Sequence, residues 1–168
     1  MTVFYEFDDV DMFTVGTVGR PGSRTFFLHV RADGLRLGIK CEKQQAAAIA
    51  QYLDKALSDL PPAEDRPIAG AMEISEPGEI AFVLGPIGLG YDRSNDRVLL
   101  QLEEVAALDE EGEPVDDDDR SHVRIYITRG QAAAFAVHAG NVIESGRPEC
   151  KWCGFPIDPD GHPCPRMN

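Results

Sequence analysis

The chain has 168 residues, 43% of them hydrophobic, and its 29 acidic against 16 basic side chains give a formal charge of −13. That length supports one substantial domain or two small ones, and the apolar content excludes global disorder. The charge disfavours nonspecific nucleic-acid binding, which depends on clustered Lys and Arg.

The N-terminus, "MTVFYEFDDVDMF", is acidic where a signal peptide is basic, and no run of about 18 apolar residues marks a membrane span. The expected location is therefore the cytoplasm. "VFYEF" and "MFTVGTV" predict strands, being rich in β-branched and aromatic residues, and "GRPGSR" predicts a turn. "TFFLHVRA" and "LRLGIKC" alternate as a hairpin joined at Asp33-Gly34. From Glu42 to Leu60, Ala46, Ile49, Ala50, Leu53 and Leu57 recur at helical spacing until Pro61-Pro62 ends the run. Residues 61–78 hold four prolines and read as a linker or loosely packed connector. Strands follow near 80–86, 97–105 and 122–128, then a helix near 129–145 with Phe135, Ala136, Ala139 and Ile143 on its buried side.

The two halves resemble each other. "FTVGTVG" at 13–19 matches "FVLGPIG" at 82–88, "RTFFLHV" at 24–30 matches "RVLLQLE" at 97–103, and "KQQAAAIA" at 43–50 matches "RGQAAAFA" at 129–136. Three matches in order point to duplication, with "LGYD" and the acidic stretch 107–120 inserted in the second copy. The expected fold class is α+β: two pseudo-repeated units of antiparallel strands, each closed by one helix, plus a small zinc knuckle. The boundaries are 1–60 for the first unit, 61–78 for the linker, 79–146 for the second unit with its acidic loop, and 147–168 for the tail.

The tail, "ECKWCGFPIDPDGHPCPRMN", concentrates the metal-ligating chemistry. Cys150 and Cys153 stand in C-x-x-C, and a turn-rich return brings back His162 and Cys164. Three thiolates and one imidazole make a closed tetrahedral set, so the expectation is structural Zn²⁺, with iron the alternative at a thiolate-rich site. So short a segment has little core, and metal binding would supply folding free energy. A redox role for the C-x-x-C lacks the strand-to-helix setting that activates a thiol. Cys41, at a strand end, reads as a buried apolar residue.

The tail in the form C-x-x-C-G-x-P-x-D-P-x-G-H-x-C-P-R-x-N, with "FTVGTVGRPGSRTFFL" and "GLGYDRSNDRV", resembles an uncharacterised actinobacterial family, a domain of unknown function. The resemblance covers essentially the whole chain and brings no activity with it. Many members of that family have Pro after the first tail cysteine, where this chain has Lys151, and the ligand positions are unaffected.

Other constellations have ordinary explanations. "VGTVGRPG" and "LGPIGLGYD" each lead into a strand, whereas phosphate-cradling loops lead into a helix N-terminus. The "DDDD" at 116–119 lacks the alternating spacing and glycine of a calcium loop and reads as a solvated loop. Arg24 with Arg97, and Lys43 with Arg129, occupy matching places and are candidates for one anion-binding groove, against a default of capping edges or pairing with acids. Gln45 and Gln131 also match and are expected in the first helical turns. His29, His122 and His138 stand alone, and no recognised catalytic motif is present.

The leading expectation is a non-enzymatic binding or adaptor protein with a protein partner, its acidic loop complementing a basic surface. One alternative is single-stranded nucleic-acid binding, with Phe26 and Phe27 stacking on bases if exposed. The other is an enzyme of unrecognised type with a polar pocket between the repeats containing Arg24 and Arg97.

Overall fold

Three successive strands followed by a helix occur twice along the chain in the computed structural model, which describes residues 2–20, 22–74, 76–115, 119–145, 151–153 and 164–166. A short strand β1 (Phe4–Phe7) precedes β2 (Met12–Val18), β3 (Thr25–Ala32), β4 (Leu35–Cys41) and α1 (Lys43–Ser58). Then come β5 (Glu79–Asp92), β6 (Arg97–Glu104), β7 (His122–Ile127) and α2 (Arg129–Glu144). The fold is α+β, as expected. The seven strands of the described residues belong to one sheet in the order β1-β7-β6-β5-β4-β3-β2.

The alternation of the sequence explains the strands. Phe13 and Val15 of β2, Phe26, Leu28 and Val30 of β3, and Leu37, Ile39 and Cys41 of β4 all face the core. The β3–β4 hairpin turns on Asp33 and Gly34, with φ of 53° and 77°, the left-handed pair a two-residue hairpin turn requires. β5 is the hinge of the sheet. Its first part runs parallel to β4, with Leu37 opposite Glu79, and its second part antiparallel to β6, with Asp92 opposite Arg97. A bulge between Leu84 and Ile87 shifts the register with β6, where Gly85 lies so close to Val105 that a Cβ would stand 2.6 Å from its Cα. The strand does not stop near residue 86. Ile87, Leu89 and Tyr91 continue to pack against the core, so "LGYD" belongs to the strand.

The repeat matches need one revision. Phe26 and Leu28 face inward in β3, and Val98 and Leu100 do so in β6. The match of 24–30 with 97–103 sets Phe26 against Leu99, a half-buried position pointing away from the core. Strand side chains change face at every residue, so correspondence of facing requires a shift by one. Thr25 and Arg97 then correspond, both opening their strands opposite Val18 and Asp92. The first anchor also differs in pairing, since Phe13 lies opposite Val30 of β3 and Phe82 opposite Ile39 of β4.

Both helices bury an apolar side against the strands and each other. α1 contributes Ala46, Ile49, Ala50 and Leu53, and α2 contributes mostly alanines around Phe135. The small residues let α2 approach closely, and Phe135 stacks on Phe13 with centroids 4.5 Å apart. Gln45 and Gln131 serve the first turns as expected. Each side-chain carbonyl accepts from the N-cap backbone, at Glu42 (2.8 Å) and Thr128 (2.9 Å). Each amide also donates to a distant carbonyl, Gln45 to Leu84 O of β5 at 3.1 Å and Gln131 to Val10 O, between β1 and β2, at 2.6 Å.

The connector is packed, not loose. Residues Ala69–Met72 form a 3-10 turn, and Met72 is buried. Thr14 Oγ1 donates to Met72 O at 2.6 Å, and His29 Nδ1 lies 3.0 Å from Pro77 O. Gly16 and Gly38 have no room for a Cβ, which would meet Ile74 and Phe27 in one case and Pro77 O in the other. The connector thus covers the outer face of β2, β3 and β4, burying Thr14, Phe27 and His29. Nearer its start it crosses the beginning of α2, where Gly130 lies against Asp65 O.

Candidate functional site

The four candidate cations do not share one groove. Arg24 and Lys43 line a pocket of about 520 Å³ formed where the starts of β3 and α1 meet the ends of β4 and α2. Arg97 lines a separate pocket with Asp8, Asp92, Asn95 and Tyr126. Arg129 lines neither. The proposed polar pocket containing both Arg24 and Arg97 is therefore not present among the described residues, because the two arginines sit at different hairpins.

Each arginine has a distinct local role. Arg24 Nη1 donates to Val142 O at 3.0 Å and Ser145 Oγ at 3.1 Å, capping the C-terminal end of α2 where the helix dipole favours a cation. Its guanidinium lies 5.0 Å above the Phe26 ring. Arg97 donates to Asn95 O and Asp96 O within its own hairpin turn. Arg129 Nε donates to both carboxylate oxygens of Asp96, at 2.9 and 3.2 Å, and Nη1 bonds Pro61 O. Tyr91 donates to the same carboxylate at 2.5 Å. The Tyr91 hydroxyl and then Arg129 hold Asp96 below the usual carboxylate range, and Asp96 in turn raises Arg129.

The first pocket also holds Lys40, Thr25, Glu42 and Glu144, with Cys41 in its wall. Sequence reasoning missed Lys40. The signal was its place on β4, outward in the alternation Leu37, Ile39, Cys41 and directly after Ile39. Cys41 behaves as expected for a buried apolar residue. Burial first, then the Glu42 charge, pushes its thiol up to about 12, far from the thiolate a nucleophile needs.

In the tail, Lys151–Cys153 form a turn, Cys153 is partly buried and Cys164 is buried. Cys150 and His162, the other two candidate ligands, lie outside the described residues. The "DDDD" run is also described only at Asp119.

The acidic stretch before it is a hairpin rather than an open loop. Leu108 and Pro114 form an antiparallel bridge, Val115 N donates to Ala107 O at 2.8 Å, and Asp109 N donates to Glu113 O at 2.9 Å. Asp109 Oδ1 accepts from Glu111 N and Glu113 N, both at 2.9 Å, which shapes the tip. Val105, Leu108 and Val115 nevertheless remain 49%, 65% and 41% exposed. These exposed apolar side chains share the hairpin with Asp109, Glu110, Glu111 and Glu113.

The aromatic platform suggested for nucleic-acid bases does not exist at Phe26 and Phe27, which are 6% and 1% exposed. The core takes one and the connector covers the other. His29 and His138 serve the backbone, His138 Nε2 lying 3.0 Å from Val15 O, and His122 meets the Phe4 ring edge-on. Burial lowers the His29 pKa, with Arg36 and Arg31 acting in the same direction against the Pro77 hydrogen bond.

No described helix is long and apolar enough to cross a membrane. Neither the curated proteins nor the solved structures include a match to this chain. A protein-family model does match over residues 5–164, nearly the full length, and so the chain belongs to the family described as a protein of unknown function, DUF3090.

Proposed function

We propose that this chain is a non-enzymatic binding or adaptor protein, with a body built from two related β-β-β-α units and a C-terminal tail organised by structural zinc. The observation that carries the reading is the hairpin at residues 105–115. It is ordered by its own backbone bonds, yet it keeps three branched aliphatic side chains in water among carboxylates. Such a surface suits a basic partner with an aliphatic patch. Charge would steer the encounter and set salt sensitivity, while Leu108 and its neighbours would supply the buried contact.

The tail would hold zinc through Cys150, Cys153, His162 and Cys164. Support comes from the donor set itself and from the burial of Cys164 near the chain end, since a closed structural site shields its thiolates. Bound metal would hold the two halves of a segment too short to fold on its own core.

Two measurements test this. Metal analysis of the native protein should find one zinc per chain, lost in Cys150→Ser/Cys153→Ser; metal-free protein purified reduced and without chelator would sink the zinc reading. Affinity purification should retain a partner on the wild-type chain, released near about 0.5 M salt. A Val105→Ser/Leu108→Ser/Val115→Ser variant should lose it, and equal retention by that variant would remove the hairpin from the function.

A further inference from the structure

The pocket beside Arg24 has an electrostatic composition the rest of the chain does not predict. Three cations, Arg24, Lys40 and Lys43, line it in a protein of charge −13. Among the described residues, neither Lys40 nor Lys43 has an ion pair or hydrogen bond, although Glu42 and Glu144 line the same cavity. Arg24 is fixed in place by its bonds through Nη1 to the end of α2 and by the Phe26 ring. A held guanidinium beside two ammonium groups with no ion partner among the described residues is an arrangement suited to a multiply charged oxyanion.

The other half shows what the same position looks like without such a role. Facing-matched residues place Asp96 where the first half has Arg24, Tyr126 where it has Lys40, and Arg129 where it has Lys43. There the helix-start cation is neutralised by Asp96. In the first half that acid is replaced by a further cation, so the positive charge is left for something outside the described chain.

We propose that this pocket binds a small phosphomonoester, with Lys40, Lys43 and Arg24 receiving the phosphate. A cavity of about 520 Å³ lies within the range that takes small organic ligands and is far larger than one phosphate requires. The remainder of the ligand meets Glu42, Glu144 and the Thr25 hydroxyl, which suit amino or hydroxyl groups. The assigned ligand class is therefore a phosphorylated amino- or hydroxyl-bearing metabolite.

Calorimetric titration of the full chain at low salt, with glucosamine 6-phosphate, glucosamine, inorganic phosphate and citrate, tests this. Glucosamine 6-phosphate should bind more tightly than each of the other three. Lys40→Gln/Lys43→Gln should weaken it by about tenfold or more, the loss expected for charge-assisted bonds. Both lysines are exposed, so this variant should keep the wild-type circular dichroism and melting behaviour. Arg97→Gln, in the other pocket, should leave the affinity unchanged. No binding of the ester, unchanged binding by the double variant, or inorganic phosphate or citrate binding as tightly would each overturn the assignment.

Discussion

The two halves of the sheet share an order of elements and differ in what they do with charge and cover. In the first half, Arg24 and Lys43 flank a pocket, and the connector buries the outer face of the strands. In the second, Asp96 and Arg129 close an ion pair, and Leu99, Gln101, Arg124 and Tyr126 remain half-buried on the outer face. Two exchanges, Arg24 for Asp96 just before the strand and Lys40 for Tyr126, separate an open cation site from a satisfied one. Shared architecture therefore says where a site lies, and the side chains at a few matching positions say whether it is one.

Helix starts offer the sharpest way to break that comparison. Gly130 is the second residue of α2 and Gln44 the second of α1. A Cβ on Gly130 would stand 1.6 Å from Asp65 O, and backbone cannot yield as a flexible side-chain tip can. Gly130→Ala should destabilise by about 3 kcal/mol or more despite alanine's better helix propensity. Exposed Gln44→Ala should fall within about 0.5 kcal/mol of the parent. Urea denaturation of both variants decides. Equal midpoints would mean that the connector does not press on α2.

Much of this fold was legible because strands announce their facing. The bounds of β2, β3 and β4 follow from apolar alternation, and the turn at Asp33-Gly34 follows from backbone chemistry. The strand expected near 80–86 is shorter than β5 because glycine has no side chain to show its facing, and Gly88 and Gly90 hide a strand that Ile87, Leu89 and Tyr91 continue. Phe26 and Phe27, adjacent and so on opposite faces, cannot both be buried by one core. Their common burial depends on the connector, whose prolines look like a loose linker in one dimension. The pairing of Arg24 with Arg97 rested on residue identity, and facing overrides identity by one position. The outward place of Lys40 in β4 signals exposure alone, and the pocket it lines exists only where α1 and the end of α2 meet the strands.

The buried outer face of the first half should respond to acid in a way the second cannot. His29 sits beneath Pro77, and its matching position in β6 is Gln101. Burial lowers the His29 pKa below its ordinary value of 6.5. The unfolded chain therefore binds a proton before the folded chain does, so stability falls as pH drops below about 6.5. The loss continues until the folded-state pKa is reached. His29→Gln, which installs the second-half residue, should flatten this part of the profile, even if it is less stable at pH 7. Parallel urea melts between pH 7 and pH 5 read the difference. An unchanged slope would mean that another group carries the response.

The smallest effect is expected at Asp96, where the second half closes its cation pair. Asp96 is partly exposed, so losing its bond to Arg129 is softened by solvent, and Asp96→Asn should lower stability only slightly. Its carboxyl is held below the ordinary 3.8, first by the Tyr91 hydroxyl and then by Arg129. Its contribution is thus complete above that value and is lost as pH falls through the lower folded-state pKa. The wild type and Asp96→Asn should differ near neutrality and converge in strong acid, and added salt should narrow the neutral gap. The informative readout is phosphate binding rather than stability. Asp96→Asn removes the ion partner of Arg129, whose Nη1 still bonds Pro61 O, but Tyr126 still stands where the first half has Lys40. If the first pocket works because several cations line it, releasing this one should not create a second site. A second binding event in calorimetry of Asp96→Asn would instead mean that a single cation without an ion partner at a helix start suffices, and that the presence of three in the first half is incidental.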